Sequence, residues 1–180
     1  MGVPPTSVGP VVPGYEVAVF GDDGALAGAG TEGEVGVRGA GLFDAYFSPW
    51  RLRDDVMRSG WLMTGDVGVF DSAGALTLRG RSKAVISVAG MKVFPEEVEA
   101  RLDSHPAVRE SRVFGRPHAH LGEVPYAEVA VRDEHRATFD PADLIVYCSR
   151  ELSSWKVPVK IDVVPSIPRT PGGKILRRPV

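Results

Sequence analysis

Apolar and polar positions alternate in short runs through the first eighty residues. Residues 15–20 read Tyr-Glu-Val-Ala-Val-Phe and predict a strand, which Asp22-Asp23-Gly24 turns back. A loop is expected over 28–33 and a second strand over 34–38. Residues 39–49 carry Phe43, Tyr46 and Phe47, aromatics expected to pack against neighbours. The mixed charges of 49–58 predict a short helix. Residues 61–66 lead into a strand at 67–70, Asp71-Ser72-Ala73-Gly74 turns the chain, and a strand follows at 76–78. Residues 1–14, rich in Pro and Gly, form an extended lead-in. Short strands at this spacing predict a small barrel or folded sheet.

The pattern changes at Gly80. Residues 85–93 predict a strand pair or bent hairpin around Ala89-Gly90. Pro95-Glu96-Glu97 opens a helix, since Pro suits the first helical position and acids favour the first turn. Val98 and Leu102 share one face of it, and His105-Pro106 ends it. Strands are expected at 108–114 and 126–131. Asp140-Pro141 caps a second helix running to about residue 152, with Leu144, Ile145 and Cys148 inward. A last strand is expected at 160–164, a loop at 165–173, and a basic tail at 174–178. The fold class is therefore α+β: a small β-rich, barrel-like subdomain over 1–80, joined by a hinge to a compact α+β domain over 81–180.

Composition narrows the function. A chain of 180 residues can bury a real core, and 43% hydrophobic with 24% charged residues is ordinary for a globular protein. A net charge of -2 gives no electrostatic footprint for nucleic acid. Cys148, the sole cysteine, forms no internal disulfide, and a reducing, cytoplasmic compartment is expected. No apolar run approaches the ~20 residues of a membrane span.

Three stretches carry chemistry. In Thr64-Gly65-Asp66 a carboxylate follows a Gly turn at a strand edge. It can accept two adjacent ribose hydroxyls, or it can brace the turn. Arg81 presents a guanidinium fork that suits ribose, phosphate or a carboxylate such as Asp66; as a lone residue it also reads as a surface arginine. Pro168-Arg169-Thr170-Pro171-Gly172-Gly173-Lys174 places two glycines before a lysine. That is either a mobile loop delivering one cation to charge developing in a transition state, or a solvated basic tail continued by Arg177 and Arg178. It lacks the glycine offset of a Walker phosphate loop. His118 and His120 lie two apart with no third ligand near in sequence, so no metal site is assigned. Cys148, on an apolar helix face, reads as core rather than nucleophile.

In combination these motifs resemble the C-terminal part of the adenylate-forming superfamily, which includes acyl-CoA synthetases, nonribosomal peptide adenylation domains and firefly luciferase. Val8-Gly9-Pro10 with Pro13-Gly14 and Glu16 resembles the start of that family's third N-terminal subdomain. The strand from Glu34 to Gly39, the ribose motif from Gly60 to Asp66, the hinge motif from Gly80 to Glu99 and the catalytic-lysine motif from Pro168 to Arg178 follow in family order. The resemblance implies that residues 1–80 end an adenylation core and 81–180 form its lid domain. It implies roles as well: Asp66 on the ribose hydroxyls, Arg81 assisting there, Lys83 as hinge, and Lys174 bridging substrate carboxylate and α-phosphate. Gly90 would line the pantetheine tunnel, and Lys92 would serve in the second conformation.

The implied parent reaction joins a carboxylate to ATP, with Mg2+, and passes the acyl group to CoA or a phosphopantetheine carrier protein. The family's phosphate loop, acyl pocket and magnesium-binding Glu have no counterpart in this sequence. The expectation is a fragment or split half of an acid–thiol ligase, inactive alone and completed by an N-terminal adenylation core in cis or in trans. Val88 to Pro95 resembles acyl-CoA synthetases more than peptide-synthetase domains. The rival expectation is a noncatalytic module docking on a carrier protein or a partner synthetase.

Overall fold

The computed structural model describes residues 7–176. Residues 1–6 of the lead-in, and Arg177 and Arg178 of the basic tail, lie outside the described residues. The chain divides into two compact units, Met1–Lys83 and Ala84–Val180.

In the first unit, β1 (Ser7–Gly9), β2 (Tyr15–Phe20) and β3 (Gly33–Gly39) precede a small excursion. That excursion comprises β4 (Ala45–Tyr46), β5 (Arg51–Leu52), the single turn α1 (Arg53–Val56) and β6 (Met57–Arg58). Two longer strands follow, β7 (Trp61–Phe70) and β8 (Leu76–Arg81). The main sheet runs β1-β8-β7-β3-β2, with β6 also on β7. Its end strands β1 and β2 are not paired with each other, so the barrel-like expectation resolves into an open, folded sheet. The alternation of β2 and β3 puts Val19 and Val35 into a core with Leu76. The helix expected over 49–58 shrinks to α1, which buries no residue. A helix with no face to bury has little to stabilise it beyond its own weak propensity.

The second unit begins with the hairpin β9 (Ile86–Val88) and β10 (Met91–Val93), then α2 (Pro95–Asp103). Next come β11 (Val108–His118), β12 (Gly122–Val131), α3 (Pro141–Ser149) and β13 (Lys160–Val163). The β11–β12 ladder is antiparallel and continues to His118↔Gly122, further than the apolar runs alone predict. β13 joins β12 in parallel, and β9 meets β12 at Gly122↔Val88. Among the described residues β11 has only β12 beside it and ends the sheet.

Val98 and Leu102 of α2, Leu144 and Cys148 of α3, and the inward residues of β9, β11, β12 and β13 form one core. Asp140 caps α3 by accepting from the Ala142 N–H at 2.8 Å, with Pro141 at the first position. Arg101 ties the helices together. Its guanidinium lies 3.6 Å over the Tyr147 ring, donates to the Tyr147 carbonyl at 2.9 Å and pairs with Glu151 at 2.9 Å.

Two outcomes test this packing. Leu102 is fully buried, and Leu102→Ala should cost about 2–5 kcal/mol, read as a lower urea midpoint with unchanged slope. His105 packs edge-on against Tyr147 at 4.9 Å, and burial, aided by the charges of His135 and Arg101, lowers its pKa against the opposing pull of Asp143. The unfolded chain therefore binds the proton more readily. The contribution of His105 to stability is full above about pH 6.5 and is lost as pH falls through that value toward the lower folded pKa. Thermal melts from pH 7.5 to 5.5 should show this loss, and His105→Gln should flatten it.

Candidate functional site

The first cluster is made by an irregularity in β7. Pairing between β3 and β7 passes from Gly36↔Met63 to Glu34↔Val67, so β7 spends two more residues than β3 over this step. The extra length falls on Thr64-Gly65-Asp66. Gly65 takes φ +74, a conformation that favours glycine, and the Thr64 hydroxyl accepts from the Asp66 N–H at 3.1 Å. A bulge of this kind re-aims the side chain that follows it. Asp66 sits opposite Arg81 on β8, and the Arg81 Nε lies 3.0 Å from the Asp66 carboxylate. The same guanidinium donates to the Thr64 carbonyl at 3.1 Å. The two readings of Asp66 are thus compatible: it is braced in a turn, and it remains 27% exposed beside a 56% exposed guanidinium. An acceptor and a fork of donors stand side by side at the surface.

Lys83 lies in a short 3-10 turn, Ser82–Ala84, and is the last residue of the first unit. Gly90 stands in the two-residue turn between β9 and β10. Ala89 has φ 48 and Gly90 φ 84, the paired positive values of the tightest hairpin turns. The backbone itself therefore calls for glycine there, and a Cβ at Gly90 would meet no atom of the chain within 4 Å. Lys92, on β10 opposite Ser87, is exposed. The Ala89 N–H donates to the Leu121 carbonyl at 2.7 Å, fixing this hairpin at the β11–β12 turn.

Lys174 lies on a second hairpin, not on a loose loop. Arg169 and Ile175 form an antiparallel bridge. The Thr170 N–H donates to the Lys174 carbonyl at 2.8 Å, and the Gly173 N–H to the Thr170 carbonyl at 2.8 Å. Gly173 takes φ +83, so it serves a tight turn. The Lys174 N–H donates to the Thr170 hydroxyl at 3.1 Å. Its side chain is exposed, with no ion-pair partner among the described residues. Arg112 and Glu110 of β11 hold this hairpin through Leu176 and Arg169; the sequence reading quoted Arg169 within its motif and passed over the other two. The available signal was weak, since Arg112 shares the run expected as a strand at 108–114 with two other charged residues, Arg109 and Glu110.

The structure thus brings Asp66 and Arg81 together, and Gly90 and Lys92 together. Gly90 and Lys174 are placed at different stations of the second unit. Cys148 is 0% exposed, and burial pushes its thiol up to about 11, which removes it as a nucleophile near neutral pH. The His118 and His120 rings stand 6.2 Å apart, and no group of three His, Cys, Asp or Glu residues among those described could hold a metal ion. Among the described residues no helix is long and apolar enough to cross a membrane. The first unit also carries an open apolar groove of about 300 Å³, lined by Val8, Val12, Tyr15, Val37 and Leu76 among others.

Residues 97–174 match the family model of the AMP-binding enzyme C-terminal domain. A long-chain-fatty-acid–CoA ligase of Yersinia pestis is 37% identical over 172 residues, covering 96% of this chain and 30% of the relative. An oxalate–CoA ligase of Arabidopsis thaliana is 35% identical, covering 97% of this chain and 33% of the relative. The chain therefore spans about a third of the length of these curated relatives. Among solved structures, the o-succinylbenzoate CoA synthetase of Bacillus subtilis in complex with its acyl-adenylate intermediate superimposes with a TM-score of 0.86 at 32% identity, covering 96% of this chain and 34% of that one. The same synthetase has also been solved with ATP and a magnesium ion. Residues 97–174 thus carry the AMP-binding enzyme C-terminal domain, and the chain as a whole is similar to the C-terminal part of adenylate-forming CoA ligases.

Proposed function

We propose that this chain is the C-terminal part of an ATP-dependent acid–thiol ligase. It works with an adenylation core supplied by the rest of a longer protein or by a partner chain, and it does not complete the reaction alone. The observation that carries the reading is Lys174, exposed and without an ion-pair partner among the described residues, on a built hairpin, found in a chain that also holds the Asp66–Arg81 pair on a strand bulge. A vicinal diol needs an acceptor for two hydroxyl protons and a nearby donor, and Asp66 and Arg81 supply both. The exposed apolar groove of the first unit supports a core that packs against it.

In the first half-reaction a carboxylate oxygen attacks the α-phosphorus of ATP, the bond to pyrophosphate breaks, and acyl-AMP remains. Negative charge gathers between carboxylate and α-phosphate, where the Lys174 ammonium would neutralise it. Mg2+, when bound, would balance the charge of the leaving phosphates. It is assigned to the nucleotide and the core, because the described residues of this chain offer no cluster for it. In the second half-reaction a thiolate sulfur, from CoA or a pantetheine carrier, attacks the acyl carbonyl and AMP leaves. Gly90 and Lys92 are assigned to this step.

The placement of the two elements supports a division of labour. The hairpin that turns at Gly90 is joined to Leu121 and Gly122 through Ala89 and Val88, and the Lys174 hairpin is tied to Arg112, which pairs with Glu128, six residues beyond Gly122 along β12. Six strand residues span roughly 20 Å. One rigid unit cannot offer both elements to one acyl-adenylate at once, so two presentations are needed, with Lys83 as the hinge between them.

Two outcomes test the reading. Brief digestion with trypsin should cut first after Lys83; a first cut elsewhere argues against the hinge. The second test fuses this chain to the N-terminal region of the Yersinia pestis ligase and uses palmitate as the acid. Lys174→Ala should slow acyl-AMP formation by about 10²–10³ yet still pass supplied palmitoyl-AMP to CoA. Gly90→Leu should form the adenylate and stall. A wild-type fusion that releases no pyrophosphate, or equal damage to one half-reaction by both variants, overturns the assignment and favours a noncatalytic docking module.

A further inference from the structure

We propose that Arg112 is a positioning residue that, with the Glu110–Arg169 ion pair, clamps the hairpin carrying Lys174 onto the face of β11 away from α2. The inference rests on the reading of Lys174 as the adenylating lysine. Alternation along β11 sends Ser111 and Val113 toward α2, where Ser111 donates to Asp103 at 2.7 Å and the Val113 N–H to Glu99 at 2.8 Å. Glu110 and Arg112 therefore face the other way.

Arg112 is only 6% exposed, an unusual setting for a guanidinium. Burial of this kind is tolerated only when the fork is satisfied. Its Nε donates to Glu128 at 2.7 Å across the ladder, and its Nη1 donates to the carbonyl of Leu176. Two residues earlier, Glu110 accepts from Arg169 Nη2 at 2.7 Å, while Arg169 Nη1 donates to the Gly173 carbonyl at 2.9 Å. The two arms of the hairpin, through Arg169 on one and Leu176 on the other, are thus tied to one strand. Arg109 adds a bond from its Nη2 to the Pro165 carbonyl at 2.9 Å, and Ile167 is buried just before the hairpin starts.

Both arms of the hairpin are held, while the Lys174 side chain stands exposed with no ion-pair partner among the described residues. A hairpin tethered only at its base would let that ammonium wander, and a displacement of about 1 Å can cost about 10²-fold in rate. The clamp converts a glycine-rich turn into a fixed platform. A lysine at 112 could keep the charge opposite Glu128, but its compact ammonium lacks the planar fork that reaches carboxylate and carbonyl together. Arg112→Lys therefore separates the fold of β11 from the anchoring of the hairpin.

The test has two arms. In the 180-residue chain, hydrogen exchange of the Thr170, Gly173 and Leu176 amides should be about tenfold faster or more in Arg112→Lys and in Glu110→Gln, while β12 amides keep their wild-type rates. Glu110→Gln changes a partly exposed residue and gives a folded reference should Arg112→Lys prove unstable. In the fusion with the Yersinia pestis core and palmitate, Arg112→Lys should lower kcat for acyl-AMP formation by about 10–100-fold, leave KM for ATP near wild type, and add nothing further in a Lys174→Ala background. Unchanged exchange in both variants overturns the clamp. Faster exchange with an undiminished adenylation rate, in an enzyme that Lys174→Ala inactivates, overturns the positioning role and leaves the proposed function standing. Full adenylation by Lys174→Ala alone sinks the role of Lys174, and the positioning role falls with it.

Discussion

The N–H of Val113 points away from β12, out of a strand with no other neighbour in its sheet, and the buried Glu99 carboxylate takes it at 2.8 Å. Much of the second unit answers to that edge. An unpaired edge strand invites pairing with other chains, and a buried donor without an acceptor costs about 1–3 kcal/mol. Glu99 meets both needs from the apolar side of α2, where Val98 and Leu102 already press the helix onto the sheet. One turn on, Asp103 accepts from Ser111, and burial raises its pKa against that hydrogen bond. The other face of the same strand is closed by the segment from Pro165 to Leu176. Covering the strand and placing Lys174 are thus one act of folding.

The first unit solves a different problem with fewer resources. Its fully buried core is small, Val19, Val35 and Leu76, and large apolar side chains remain outside, with Phe47 89% and Trp50 68% exposed. Its rigidity near Asp66 comes from backbone geometry instead. The bulge at Thr64–Asp66, the positive φ of Gly65 and the double grip of Arg81 on Asp66 and on the Thr64 carbonyl fix one carboxylate without burying it. On the proposed function, a carboxylate that takes hydroxyl groups would need to stay hydrated until its ligand comes. An exposed ion pair contributes little to stability, typically below about 1 kcal/mol. Its value here is orientation.

Most of the strands and both larger helices were legible in the sequence, because alternation and the Asp140-Pro141 and Pro95-Glu96 starts are local signals. Two of the misreadings share a cause: residues that break structure in isolation were serving it in context. The strands expected at 108–114 and 126–131 stop short of Gly115, Pro117, Gly122 and Pro125, yet the ladder takes in all four and runs on to the His118↔Gly122 pair. A proline interrupts a ladder only where its missing N–H was needed. Gly172-Gly173 suggested mobility, whereas Gly173 supplies the positive φ of a closed hairpin. The mixed charges of 49–58 suggested a helix, but no stripe there finds anything to bury. Asp66, Arg81 and Lys174 were visible as motifs. Arg112 and Glu110 were not, since their partners lie 64 and 59 residues away and no local pattern announces a tertiary clamp.

The two glycine turns make the last step possible. Gly90 and Gly173 each close a hairpin with positive φ, and each hairpin is pinned to the β11–β12 pair, one at its turn and one toward its far end. A paired antiparallel ladder bends little over this length, so the spacing between the hairpins is set by the strands and not by the loops. On the proposed function, this makes the order of events a matter of geometry. While the Lys174 hairpin faces the carboxylate and phosphate, the Gly90 hairpin is held roughly 20 Å away along the strands, and no thiol can reach the acyl group beside it. On that reading, a hinge at Lys83 would exchange one hairpin for the other without deforming either. A softer connection between them would let both approach together and would lose that separation. On the proposed function, the rigidity supplied by the long ladder and the Arg112 clamp would therefore be part of the chemistry, because it would keep the Lys174 cation out of the second step.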